Sequence, residues 1–176
     1  MGSRRSFLHH LAFASGAAAL LPVRAEQAFE ARRWPAGLAA PALEAQDLDG
    51  KTWRLGALRG RAVVLNFWAS WCEPCRAEMP TLQQLAEVYG PDKLTVLTVN
   101  YKENAAKASQ FVRTTGMTLP VLLDPVGDLT RAWEVRTFPS TILIAADGKP
   151  RLRLRGEVDW SGDEAEKMIA GLLKRV

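Results

Sequence analysis

Two thiols stand three residues apart in Trp71-Cys72-Glu73-Pro74-Cys75, and they are the only cysteines in the 176-residue chain. Cysteines at this spacing close a disulfide without backbone movement when the second lies one helical turn beyond the first. The pair follows an apolar run, Ala62 to Phe67, and opens a segment, Glu73 to Tyr89, in which Leu82, Leu85, Ala86 and Val88 recur at helical spacing. Pro74 suits a first helical turn, and Pro80 predicts a kink further on. Cys72 therefore falls at a helix start, where unpaired N–H groups and the positive dipole end favour a thiolate. Such surroundings lower a cysteine pKa from about 8.5 into a range of roughly 3.5 to 7.5, which makes Cys72 the expected nucleophile. Cys75, facing the body of the protein, is the expected resolving thiol that attacks the mixed disulfide and releases the product.

Two other uses of the pair stay open on spacing alone. A structural staple is the weaker one, because closing a four-residue loop restricts the unfolded chain by only roughly 2 kcal/mol, against about 3 for fifteen residues. A Cu(I)-binding metallochaperone module would hold the metal with both thiolates and take Met79 as a soft helper. A peroxidase of the peroxiredoxin type fits less well, since its reactive cysteine usually lacks a partner three residues on.

The rest of the composition excludes much else. Both histidines, His9 and His10, lie in the first 25 residues, so a chain starting at Glu26 contains none. That removes Ser-His-Asp and Cys-His catalysis and any His-ligated metal, and two cysteines make no four-thiolate zinc site. No cofactor and no bound metal is expected. Residues 1–25 themselves combine a basic start with Arg4 and Arg5, a 14-residue uncharged stretch from Leu8 to Leu21, and the small-residue pattern Val23-Arg24-Ala25. This is the plan of an export signal cleaved after Ala25, with the paired arginines resembling a twin-arginine signal. The stretch is shorter than the ~20 residues that a membrane-spanning helix needs, so an uncleaved tether is the lesser alternative. Formal net charge is +4, but without Arg4, Arg5 and Arg24 the remaining 20 basic residues face 19 acidic ones. Nucleic acid is accordingly not an expected partner.

Beyond the signal, residues 26–40 show no clear period and read as a linker, leaving 41–176 as one domain. Pro41 to Gln46 and Lys51 to Arg54 flank the turn Asp47-Leu48-Asp49-Gly50 as a small hairpin. Leu94 to Val99 is a second buried strand, Glu103 to Thr115 a second helix ended by Gly116, and Val121 to Leu123 a short strand. After a helical piece from Asp128 to Trp133, Ser140 to Ala145 and Arg151 to Arg155 flank Asp147-Gly148-Lys149-Pro150. Arg151, Arg153 and Arg155 alternate with Leu152 and Leu154, which reads as one buried and one solvated face. A closing helix starts at Ser161 or Asp163 and carries Ala165, Met168, Ile169, Leu172 and Leu173. This order implies an α/β fold with a mixed central sheet flanked by helices.

The stretch from Asn66 to Pro80, NFWASWCEPCRAEMP, resembles the active-site segment of the TlpA/ResA-like exported thioredoxin-family thiol-disulfide oxidoreductases. The resemblance runs from about residue 40 to 175. It implies a thioredoxin fold with an N-terminal β-hairpin and a helical insertion near residues 103 to 116, and it matches Pro139 to the family's cis-proline beside the cysteines. It further implies a reductase of oxidised protein substrates, for example in cytochrome c or copper-site assembly. Its electrons would come from a membrane thiol-disulfide transporter of the DsbD/CcdA kind, and the protein would be a periplasmic monomer.

Trp71 and Phe138 are expected to form, with Pro139, an apolar collar around Cys72 that contacts substrate. Asn66 stands where thioredoxin itself has a buried aspartate that moves protons, and an amide cannot do so. Glu103, in the insertion, aligns with a glutamate that approaches the site in ResA-like members and is the expected group for proton transfer or pKa tuning. An acid stabilising a helix start is its other reading.

Overall fold

Every residue of Ala62–Trp68, the sequence AVVLNFW, is buried, as a strand covered on both sides demands. The computed structural model describes residues 29–174; the export segment expected over 1–25 and the cleavage expected after Ala25 lie outside the described residues. In chain order the strands are β1 (Phe29–Arg33), β2 (Glu44–Gln46), β3 (Thr52–Arg54), β4 (Ala62–Trp68), β5 (Leu94–Tyr101), β6 (Val121–Asp124), β7 (Ser140–Ile144) and β8 (Pro150–Gly156). The helices are α1 (Glu73–Tyr89), α2 (Ala105–Thr115), α3 (Asp128–Ala132) and α4 (Asp163–Leu173). Six strands form one mixed sheet in the order β1-β8-β7-β4-β5-β6, with β4 central. β5 and β6 run parallel to β4 on one side, and β7, antiparallel to it, begins the other. β2 and β3 form the separate hairpin expected from the sequence.

Alternation along β4 divides the core in two. Ala62, Val64 and Trp68 join Met79, Leu82 and Leu85 of α1, Ala108 and Phe111 of α2, and Ala165, Ile169 and Leu172 of α4. Val63, Leu65 and Phe67 meet Trp34, Leu43, Leu58, Trp133 and Val135 on the opposite face. Asn66 belongs to the first set by parity and so points toward α1.

The segment 26–40 is not a linker where it is described. β1 pairs antiparallel with β8 over its full length, Phe29 opposite Gly156 through Arg33 opposite Leu152, and makes the sheet edge. Four of its five residues are exposed, so no apolar period marked it, and its partner strand alone defines it. Trp34 continues into the core, 9% exposed, with its ring 5.9 Å from that of Trp133 and its Nε1 donating to Leu38 O. The arginine row of β8 is likewise not a freely solvated face. Arg153 packs 4.9 Å over Trp34, donates to Trp133 O and pairs with Glu134, leaving 13% of its side chain exposed.

Helix α2 begins later than the spacing implied. Asn104 is its N-cap, accepting from Lys107 N, so Glu103 precedes the helix instead of opening it.

Because Trp34 anchors β1 through both Trp133 and Arg153, Trp34→Ala should lower stability by roughly 3 kcal/mol, read as a shift of the urea midpoint at unchanged slope. An effect below about 1 kcal/mol would show that the segment is attached only loosely.

Candidate active site

Cys72 ends the turn after β4 in extended backbone, φ −87° and ψ 107°, and is the N-cap of the 17-residue α1. Its Sγ accepts from Cys75 N at 3.3 Å, so a backbone donor that would otherwise be unpaired faces the sulfur. The two cysteines form a disulfide with Cα atoms 5.3 Å apart. Cys72 retains 5% exposure and Cys75 none, so an incoming thiolate can approach only Cys72.

Two aromatic rings meet next to the cysteines. Trp71 is 61% exposed and meets Phe138 edge-on with ring centroids 5.9 Å apart, while Phe138 also lies 4.8 Å from Tyr101. The Phe138-Pro139 peptide is cis, and Pro139 O accepts from Gly156 N, tying that turn to the end of β8. Cys72, Cys75, Trp71, Phe138 and Pro139 thus converge where β4 ends and β7 begins.

Glu103 also reaches this region, but in a role its position in the chain did not suggest. Its carboxylate accepts from Ser70 N at 2.8 Å and Ser70 Oγ at 2.7 Å, from Asn100 Nδ2 at 2.8 Å, and pairs with Lys107 Nζ at 2.8 Å. Burial opposes its ionisation, yet the donors Lys107, Ser70 and Asn100 outweigh burial and hold the carboxyl down at about 2. A carboxylate so well satisfied is a poor base at neutral pH. What the bonds do is fasten the Ser70-Trp71-Cys72 loop to the start of the insertion.

A second buried carboxyl near the pair is Glu78, which was not among the candidate site residues. It is 1% exposed, one turn beyond Cys75 on α1. Its Oε1 accepts from Asn66 Nδ2 at 2.5 Å and its Oε2 from Val158 N at 3.0 Å, while Asn66 Nδ2 also donates to Thr141 Oγ1. Burial is the largest influence and raises the carboxyl to about 7, against the hydrogen bonds from Val158 and Asn66. A signal was legible: Cys75, Glu78, Leu82 and Leu85 lie three, four and three residues apart, so Glu78 occupies the buried stripe of the helix.

The AhpC/TSA family model matches residues 36–152. The chain belongs to the AhpC/TSA family. A thiol-disulfide oxidoreductase ResA of Geobacillus thermodenitrificans is 35% identical over 120 residues, which are 68% of this chain and 69% of that one. Among solved structures, a chain from Chlorobium tepidum provisionally named thiol:disulfide interchange protein DsbE shares 30% identity with a TM-score of 0.71, covering 77% of this chain and 95% of that one. The exposed lipoprotein thioredoxin of Streptococcus pneumoniae shares 33% with a TM-score of 0.63, covering 74% and 99%. This AhpC/TSA family member has the thioredoxin fold and is a thiol-disulfide oxidoreductase, with its cysteine pair as the only reactive thiols available.

The two carboxyls predict opposite responses. Glu78 has a folded value raised from 4.5 to about 7, so its neutral form is the one the fold favours. Its contribution is complete below 4.5 and lost as pH rises through about 7, a decline of roughly 3 kcal/mol. Urea unfolding of the oxidised protein across that window should show this slope, and Glu78→Gln should flatten it. Glu103, with its value lowered, stabilises above 4.5 and loses that effect as pH falls toward about 2. At neutral pH Glu103→Gln should cost about 2 kcal/mol and speed hydrogen exchange at Ser70 N, because an amide cannot accept from all four donors. Unchanged exchange there would remove the fastening role.

Proposed function

We propose that the protein is a reductase of protein disulfides that works outside the cytoplasm. The observation that carries this reading is the asymmetry of the pair: Cys72 caps α1 beside an exposed aromatic collar, and Cys75 is sealed within the core. In the reduced protein the Cys72 thiolate attacks one sulfur of a substrate disulfide, forming a mixed disulfide and releasing the first substrate thiolate. Cys75 then loses its proton and attacks Cys72 Sγ, which releases the second substrate thiolate. Two electrons pass to the substrate, its two sulfurs take up two protons, and the protein is left with the Cys72–Cys75 disulfide. Glu78, near neutrality in its titration, accepts and returns the proton that Cys75 gives up.

Glu78 also bears on direction. An oxidant depends on a strongly stabilised thiolate, whereas the buried ionisable group one turn beyond Cys75 is an acid that opposes a second negative charge. This favours the reducing direction. Export of a chain cleaved after Ala25 rests on the signal pattern of residues 1–25, and among the described residues no helix is long and apolar enough to cross a membrane. The electron donor in this reading is a membrane thiol-disulfide transporter of the DsbD/CcdA kind, and the acceptors are cysteines oxidised before cytochrome c or copper-site assembly. Met79, the soft ligand of the Cu(I) reading, is a core residue of α1, 4% exposed.

Two measurements test the proposal. Equilibration with a dithiol buffer should place the pair near about −270 mV, and a value near about −120 mV would mark an oxidant instead. Cys75→Ser should accumulate a mixed disulfide through Cys72, visible by mass, whereas Cys72→Ser should form none.

A further inference from the structure

Beside Tyr101, which packs against Phe138, the surface falls into a hollow of about 270 Å³ bounded by Tyr101, Lys102, Gly127, Arg131, Glu134 and Arg136. A second hollow of about 420 Å³ continues past Arg136 to Arg153 and Arg155. Glu134 is the sole acid among the residues bounding either, and Arg153 engages it at 3.6 Å. Arg131 pairs with Asp128, and Arg155 lies 3.9 Å from Glu30. Lys102 and Arg136 are exposed and carry no ion pair among the described residues. Arg136 stands two residues before Phe138, and Tyr101, against Phe138, forms the wall shared with the collar.

The backbone here is held in a conformation that side chains rarely adopt. Lys102 at φ 51° and Glu134 at φ 54° are the two non-glycine residues of positive φ among the described residues, and both border this hollow. The stem of Lys102 lies across Gly127, where an added Cβ would come within 2.8 Å of Lys102 Cε, and its ammonium sits 5.3 Å over the Tyr101 ring. The Lys102 ammonium thus stands at the edge of the hollow, and sparsely populated backbone of this kind concentrates at ligand clamps. On the other side of Pro139, the chain after β8 carries Glu157 and Asp159, and exposed Glu73 and Arg76 follow Cys72 and Cys75 on α1.

We propose that this hollow is a specificity subsite for an acidic side chain of the disulfide-bearing protein segment, received by Lys102 and Arg136 while the attacked cysteine lies at Cys72. The proposal rests on the reading of the protein as a reductase of protein disulfides and adds the charge of the segment that it prefers. Complementary charge of this kind acts on encounter and hold of the partner, and leaves the chemistry at sulfur unchanged.

The test uses the full chain, reduced beforehand, with three short synthetic peptides that share one internal disulfide and differ only in flanking Asp, Asn or Lys residues. Single-turnover reduction should show a half-saturating concentration at least about fivefold lower for the Asp peptide than for the Lys peptide, with similar rates at saturation. The difference should shrink at about 1 M salt, where screening reaches about 3 Å. Arg136→Glu should reverse the preference, and Lys102→Gln should weaken it. Because each preference is a ratio within one protein, a poorly folded variant cannot imitate it, and the wild-type ratio with its salt dependence stands without any variant. Equal reduction of all three peptides overturns the subsite while leaving the reductase reading intact, as does an Arg136→Glu protein that still prefers Asp. Failure of the folded, reduced protein to act on any of the three overturns the reductase reading and the subsite with it.

Discussion

A carboxyl group shut away from water has to be solvated by protein, and the disulfide site is arranged around that requirement at Glu78. Its donors come from elements far apart in sequence: Asn66 on β4 and Val158 after β8, with Thr141 on β7 receiving from the same amide. The register that sets Asn66 opposite Thr141 is what lets that amide bridge the two strands toward α1. Removing one member would leave others buried without partners, which penalises any arrangement of the sheet and α1 except this one. The network therefore positions Cys75, three residues before Glu78, as firmly as the apolar core does.

Two glutamates near the same disulfide are tuned in opposite directions by their surroundings. Glu103 meets four charged or strongly polar donors and stays ionised, while Glu78 meets two backbone or amide donors deep in the core and sits near neutrality. Environments that push like groups apart separate structural from proton-carrying roles. Glu103 holds the Ser70–Cys72 loop, and the surroundings of Glu78 bring its titration to about 7. Trp71 and Phe138 meet edge-on outside both networks, and Phe138 packs against Tyr101.

Much of this was legible in the residues alone. The cysteine spacing, the apolar run of β4 and the helical period after it located the reactive pair and assigned Cys72 and Cys75 their order, because helix starts and buried strands are local events with local signatures. The β2–β3 hairpin followed from its Asp-Gly turn, and the cis-proline at Pro139 from resemblance. Other features had no local signature. β1 has one half-buried residue in five and exists only because β8 offers it an edge. Arg153 has the local pattern of a solvated strand residue, and only the fold lays Trp34 across it.

The residues by themselves determined the chemistry, since two thiols at a helix start and no histidine after residue 25 leave little else for the chain to do. Tertiary structure alone decided how the two acids near the disulfide differ. Glu78 and Glu103 are the same residue type, and their difference arises from burial and from their donors: Asn66 and Val158 reach Glu78 across 12 and 80 residues of chain, while Ser70 reaches Glu103 across 33 beside its local partners Asn100 and Lys107. A pKa is set by the dielectric and the partners surrounding a group, and those are properties of the packed fold.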